Sequence, residues 1–219
     1  MENASKALII AGGVLVAILI ISILVNARGT ISEWMNSNQK VKELEQVDEF
    51  NKQYDAYYRN NIYGSELLSL VNKVLDFREK YRKDEDGYTP LEMYVKFNND
   101  LIIFADSKKQ IFLAGHGEYK SAEISNKIQN DIEKNGIEAF GNLTYGSKAT
   151  KVKDLAGLRT NEIEQIVPTG SLASAQANIN KYSSYKNALS QFNSKKFSAT
   201  NFKYNKDNGM IEEMHFKEI

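Results

Sequence analysis

One uninterrupted apolar run constrains this chain more than anything else in it. Residues 7–25, ALIIAGGVLVAILIISILV, carry no charge, and Ser22 is their only clearly polar side chain. Roughly 20 apolar residues in a helix cross the hydrocarbon core of a bilayer. A helix that is hydrophobic all round must be enclosed by protein or by lipid. Nothing downstream is apolar enough to enclose this one: mean hydropathy over the whole chain is −0.46, the run included. The expected organisation is a short tail at 1–6, a transmembrane anchor at 7–25, a helical stalk at 26–61 and a single α+β domain at 62–219. The lipid bilayer is the expected partner of 7–25.

A cleaved signal peptide is the rival reading. Val25 and Ala27 satisfy a small-residue cleavage rule, but the apolar run exceeds the usual core of about 7–15 residues. Its leading segment is also weakly basic, with Lys6 set against Glu2. The anchor is therefore expected to stay attached. Gly12 and Gly13 are adjacent and do not form the GxxxG helix-pairing pattern. Lys6 lies on one side of the run and Arg28, Lys40 and Lys42 on the other, a slight positive-inside lean toward a cytoplasmic C-terminal part. A six-residue tail is easily left inside, and a large domain translocates whatever its charge. The expected location is the cell membrane, single-pass, with the C-terminal domain extracytoplasmic.

Charge and composition narrow the function classes. The 28 basic and 28 acidic side chains cancel, which removes any bulk attraction to nucleic acid. Absence of cysteine excludes disulfide scaffolds, thiolate zinc sites and thiol catalysis. Only two prolines and an aromatic share of 11% mark an ordered chain.

Beyond the run, Ile31, Trp34, Met35, Val41, Leu44, Val47, Phe50, Tyr54 and Tyr57 form a helical stripe, with a break expected near Tyr63 and Gly64. Ser65 caps a second helix whose face is Leu67, Leu68, Leu70, Val71, Val74 and Leu75. Residues 83–90 read as a turn. Residues 92–97 alternate as a strand, 98–100 turn, and 101–105 return, with a further strand at 110–114. A helix is expected over 121–135, stopped by Asn135 and Gly136. Residues 136–170 read as loop. An amphipathic helix follows over 171–193, and a hairpin closes the chain, turning at Lys206, Asp207, Asn208 and Gly209 with positive φ open to the last two. The fold class is α+β: the anchor helix continues into an amphipathic helix packed on an antiparallel sheet, with a helical and loop insertion at 108–182.

Three pieces, MENASKALIIAGG, FNKQYDAYY...IYGSELLSLVNKV and YNKDNGMIEEMHFKEI, resemble a group of bacterial single-pass membrane proteins, most common in gut Firmicutes. Their layout is similar to that of type IV pilins and pseudopilins. The resemblance implies a pilin-like architecture for the first ~80 and last ~20 residues and does not extend to 108–182. The chain departs from true prepilins in having no glycine-ending leader before Ala7 and no acidic residue within 7–25.

Few residues suggest chemistry. His116, between Gly115 and Gly117, stands out because His215 is the only other histidine. As a base or metal ligand it lacks a partner at HxxE or HxxxH spacing, so a structural turn is expected. Asp84, Glu85 and Asp86 do not continue into a calcium loop, whose twelfth position would be Val95. GNLTYGSKATK at 141–151 lacks the spacing of a phosphate loop. Ser65 and Ser171 sit in neither GxSxG nor SxxK and read as helix caps. No catalytic, cofactor or metal site is expected. Tyr54, Tyr57, Tyr58 and Tyr63 are the candidates for a partner-binding surface, since tyrosine is enriched at interfaces. The expected function is that of a membrane-anchored, non-enzymatic surface or envelope component, pilin-like, engaging a protein partner or itself. A small-ligand or sensory module with its site at 108–170 is the alternative. A membrane-tethered enzyme ranks last.

Overall fold

The computed structural model describes residues 2–81, 91–105 and 108–219; the turn expected at 83–90, with its acidic residues at 84–86, lies outside them. The chain divides into two compact units, Met1–Lys52 and Gln53–Ile219. The first is helical at every described residue. Helix α1 runs Glu2–Asp55 without a break and contains one span, Lys6–Val25, long and apolar enough to cross a membrane, a test that a signal sequence also passes. The Ser22 hydroxyl donates to the Ile18 carbonyl at 2.8 Å. That bond satisfies, from within the helix, the one clearly polar side chain of residues 7–25, as a hydrocarbon environment requires.

The second unit is an α+β domain. Strands β1 (Ile62–Tyr63), β8 (Lys196–Tyr204), β9 (Ile211–Glu218), β2 (Glu92–Lys96) and β5 (Glu118–Lys120) form one sheet in the order β1-β8-β9-β2-β5. Neighbours pair antiparallel except β2 and β9, which run parallel with Met93 opposite Met214 and Val95 opposite Phe216. The expected meander is thus replaced in two ways. β3 (Leu101–Ala105) does not return along β2 but pairs with β4 (Lys108–Leu113) as a separate ribbon. β5, within the expected insertion, completes the main sheet.

Helix α2 (Gly64–Lys80) and helix α7 (Leu172–Ser194) supply core residues: Leu67, Leu70, Val71 and Val74 from α2, Phe192 from α7. Leu68 and Leu75, expected on the buried face of α2, are only half-buried. The chain leaves α1 at Asp55, earlier than the break expected at Gly64. Ser65 is not the cap of α2. The cap is Tyr63, whose backbone N–H donates to Glu66 Oε2 at 2.9 Å, an acidic side chain in the first turn reaching back to the cap residue. The same device starts the helices at Ser121 and Thr160, through Lys120 N–H to Glu123 and Arg159 N–H to Glu162.

The helix expected over 121–135 starts as predicted but does not stop at Gly136. A short α-helix, α3 (Ser121–Ser125), widens into a π-helical stretch over Asn126–Glu138 and closes as α4 (Ala139–Gly141). Ile124, Ile128, Ile132 and Gly136 recur every four residues and all are buried. At 3.6 residues per turn such a repeat drifts around an α-helix, and the wider coil with i→i+5 bonding turns less per residue. Gly136 serves close packing rather than termination, since a Cβ there would lie 2.3 Å from the Tyr185 ring.

Residues 142–170, expected to be loop, also carry structure: a small hairpin β6–β7 (Thr144–Tyr145, Thr150–Lys151), helix α5 (Val152–Leu155) and helix α6 (Thr160–Ile166). Val152, Leu155, Ile163 and Val167 pack with Ala175 and Ile179 of α7 into a second small core. Ser171 precedes α7 as expected but makes no side-chain cap bond.

Candidate functional site

The sequence candidates separate when their surroundings are followed. Tyr54 is 1% exposed. The Lys73 amine lies 4.8 Å from its ring centre and donates to the Gln53 carbonyl, and burial pushes the Tyr54 hydroxyl up to about 12. It is a core residue. Tyr57 is half-buried. Tyr58, 59% exposed, sets its ring edge-on against Phe202 with centroids 4.9 Å apart. Tyr63 is exposed beneath the Lys196 amine. Tyr204, also exposed, lies near Tyr58; burial, then Asp55 and Tyr58, push its hydroxyl up. Of the four candidate tyrosines, Tyr58 and Tyr63 are therefore the exposed ones, and Tyr58 is joined by Tyr204, which periodicity did not single out.

The glycine-flanked histidine is a turn. His116 is exposed with φ of 68°, and its N–H donates to the Phe97 carbonyl at 2.7 Å while Phe97 N–H donates to Gly117. Tyr119 Oη accepts from Ala114 N–H at 2.7 Å, and an Asp100 carboxylate oxygen accepts from Gly115 N–H. A Cβ at Gly115 would lie 2.9 Å from the Asn98 carbonyl oxygen. Gly115 serves tight backbone packing and Gly117 leaves room for the Tyr119 ring, and no carboxylate is bonded to the imidazole of His116 among the described residues.

The other histidine occupies the outer face of the main sheet. His215 stacks on Tyr94 with centroids 4.8 Å apart and rings 9° from parallel. Its Nε2 lies 2.9 Å from Glu213, whose carboxylate is held low by Lys203 and then by His215. Lys203, Lys96 and Glu118 help line a shallow hollow of about 250 Å³ there. Neither histidine belongs to a triad of metal-ligating side chains among the described residues. Alternation along β9 puts Glu213 and His215 on one side; the parallel register with β2 brings Tyr94 against His215.

A buried cluster holds the end of β9. Glu218, 4% exposed, accepts from the Asn98 and Asn99 N–H groups at 2.8 and 3.1 Å and pairs with Lys195 at 2.5 Å. Burial alone would raise this carboxyl, but Lys195 and the asparagine donors outweigh it and hold it low. No sequence signal marked it, because Lys195 lies 23 residues before Glu218 and the asparagine donors 119 and 120 residues before it.

The last feature is a groove between β4 and the π-helical stretch, about 540 Å³, walled by Phe112 and Tyr185 and by Lys127, Asp131 and Asn135. Phe112 and Tyr185 meet edge-to-face, and Lys127 lies over Phe112. Most of it falls within the 108–170 segment. Comparison of the chain with known protein families, curated proteins and solved structures returns no match.

Proposed function

We propose that this is a single-pass, membrane-anchored interaction protein of pilin-like layout, non-enzymatic, with its Gln53–Ile219 unit on the extracytoplasmic side of the cell membrane. One observation carries the reading. Every large apolar side chain of the span from Leu8 to Val25 is at least 51% exposed, a condition that water penalises along the whole length and that lipid removes. An uninterrupted helix followed by an α+β domain ending in a hairpin supports the pilin-like layout. Met35, Val41 and Leu44, exposed on α1 beyond the span, favour association through that helix with a partner or a second copy.

The test is extraction of native membranes at alkaline pH followed by mass spectrometry. The protein should stay in the pellet and yield peptides upstream of Arg28. A soluble form beginning at or just after Arg28 would make 7–25 a signal peptide and remove the anchor from the proposal. Protease added to intact cells reports the side: loss of the C-terminal unit fits the extracytoplasmic placement, and protection until lysis rejects it.

A further inference from the structure

We propose that the free edge of β4, with the groove beside it, takes an extended peptide of a partner protein as a third strand, apolar on its inner face and acidic opposite Lys109. The proposal deepens the interaction reading above by naming the partner's chemistry. It does not depend on which side of a membrane the domain faces.

The backbone geometry comes first. Ser184 of α7 accepts from Phe104 N–H at 3.0 Å and donates to the Phe104 carbonyl at 2.7 Å. Both backbone groups of Phe104 thus point away from β4, so its pairing with Lys109 is a non-hydrogen-bonded one. Lys109 must then aim its own N–H and C=O away from β3, and Ile111, two residues on and opposite Ile102, does the same. One edge of the ribbon is closed by a serine and the other is open. Among the described residues β4 pairs with β3 alone. An open edge offers main-chain donors and acceptors that an added strand satisfies.

Side chains decide what kind of strand fits. Phe104 and Ile111 are 62% and 53% exposed on the outer face of the ribbon. Across the edge, Phe112 and Tyr185 give the groove an aromatic wall, and the helix bearing Lys127 and Asp131 bounds it opposite β4. A strand lying between a sheet edge and a helix is a recurrent mode of peptide capture. Lys108 and Lys109 are exposed and form no ion pair among the described residues. Opposite charges facing each other across paired strands stabilise the pairing. An added residue opposite Lys109 shares its face, so that position calls for an acidic side chain, and the alternate positions turn to Phe112 and Tyr185.

The experiment uses the full chain in detergent micelles and a fluorescein-labelled peptide Val-Glu-Val-Glu-Val-Glu, roughly one strand long, followed by anisotropy. Saturable binding is expected, weakened about fivefold or more by Lys109→Glu. Methylating the backbone nitrogens of the Glu residues should abolish binding, whereas methylating those of the Val residues should be tolerated, because only the former face β4. Absence of saturable binding up to about 1 mM overturns the proposal, as does equal binding of both methylated peptides. If instead the full chain sediments as a dimer that Lys109→Glu dissociates, a second copy occupies the edge and the peptide proposal fails. None of these results alters the membrane-extraction test, so the two readings fail separately.

Discussion

Glu218 shows how one side chain can tie distant segments. Its carboxylate is enclosed with Lys195 and with the donors of the Asn98–Asn99 turn. Glu218→Gln leaves the half-buried Lys195 without its counter-charge; the change costs about 3–5 kcal/mol in a fully buried pair and less here, so a drop in melting temperature is expected by calorimetry. The sign of the pH effect follows from the lowered carboxyl. A group depressed in the folded state contributes stability that is complete above its unfolded pKa, about 4.3, and is lost as pH falls through the folded value. Acid should therefore destabilise the native chain below about pH 4, and Glu218→Gln should show a shallower acid slope. His116→Ala is the contrasting case. The imidazole is exposed on a turn held by its backbone, so stability should change by less than about 0.5 kcal/mol and a cellular phenotype should be unaffected. A variant that melts normally yet behaves as a null would make His116 functional.

At the scale of elements, the buried faces of helices separate positions that spacing alone treats alike. Val71→Asp puts an unpaired carboxylate at a fully enclosed site on α2. The cost is several kcal/mol, on the order of the stability of a whole domain, and far-ultraviolet circular dichroism should report loss of cooperative unfolding. Leu68→Asp, half-buried on the same helix, should melt lower but still fold. Glycines separate in the same way. A Cβ at Gly64 would sit 1.9 Å from the Phe192 carbonyl oxygen, backbone that cannot swing aside, whereas Gly12 has nothing within 4 Å. Gly64→Ala should cost about 3 kcal/mol or more and Gly12→Ala should be neutral in a thermal melt.

At the scale of the molecule, the compact unit begins at Gln53 and not at residue 62, so the last part of the expected stalk belongs to the domain. Its core draws on α2, α7, the π-helical stretch and the main sheet. With the apolar span removed, a chain of residues 37–219 is expected to be soluble, monomeric at low concentration and cooperative in urea, because its remaining apolar residues lie mostly on packed faces. Sedimentation and a urea titration check this; persistent aggregation would mean that the domain needs the first helix to fold.

The apolar span, the face of α2, α7 and the closing hairpin were legible in the sequence because each rests on local periodicity or turn chemistry. The hairpin turn was legible only in part: Gly209 takes the positive φ, while Asn208 instead accepts the Met210 N–H with its side chain. Strand partnership was not legible, since alternation fixes which side chains share a face but not which strand lies alongside. Hence β2 could be placed as a strand, yet its parallel pairing with β9, and with it the Tyr94–His215 stack, came from packing. Gly136 misled for a related reason: a glycine reads as a helix stop until the ring of Tyr185, 49 positions along in sequence, is found to occupy its missing Cβ. The candidate groove shares that origin. Residues of β4, the π-helical stretch and α7 form it, and only the tertiary fold brings those three segments together.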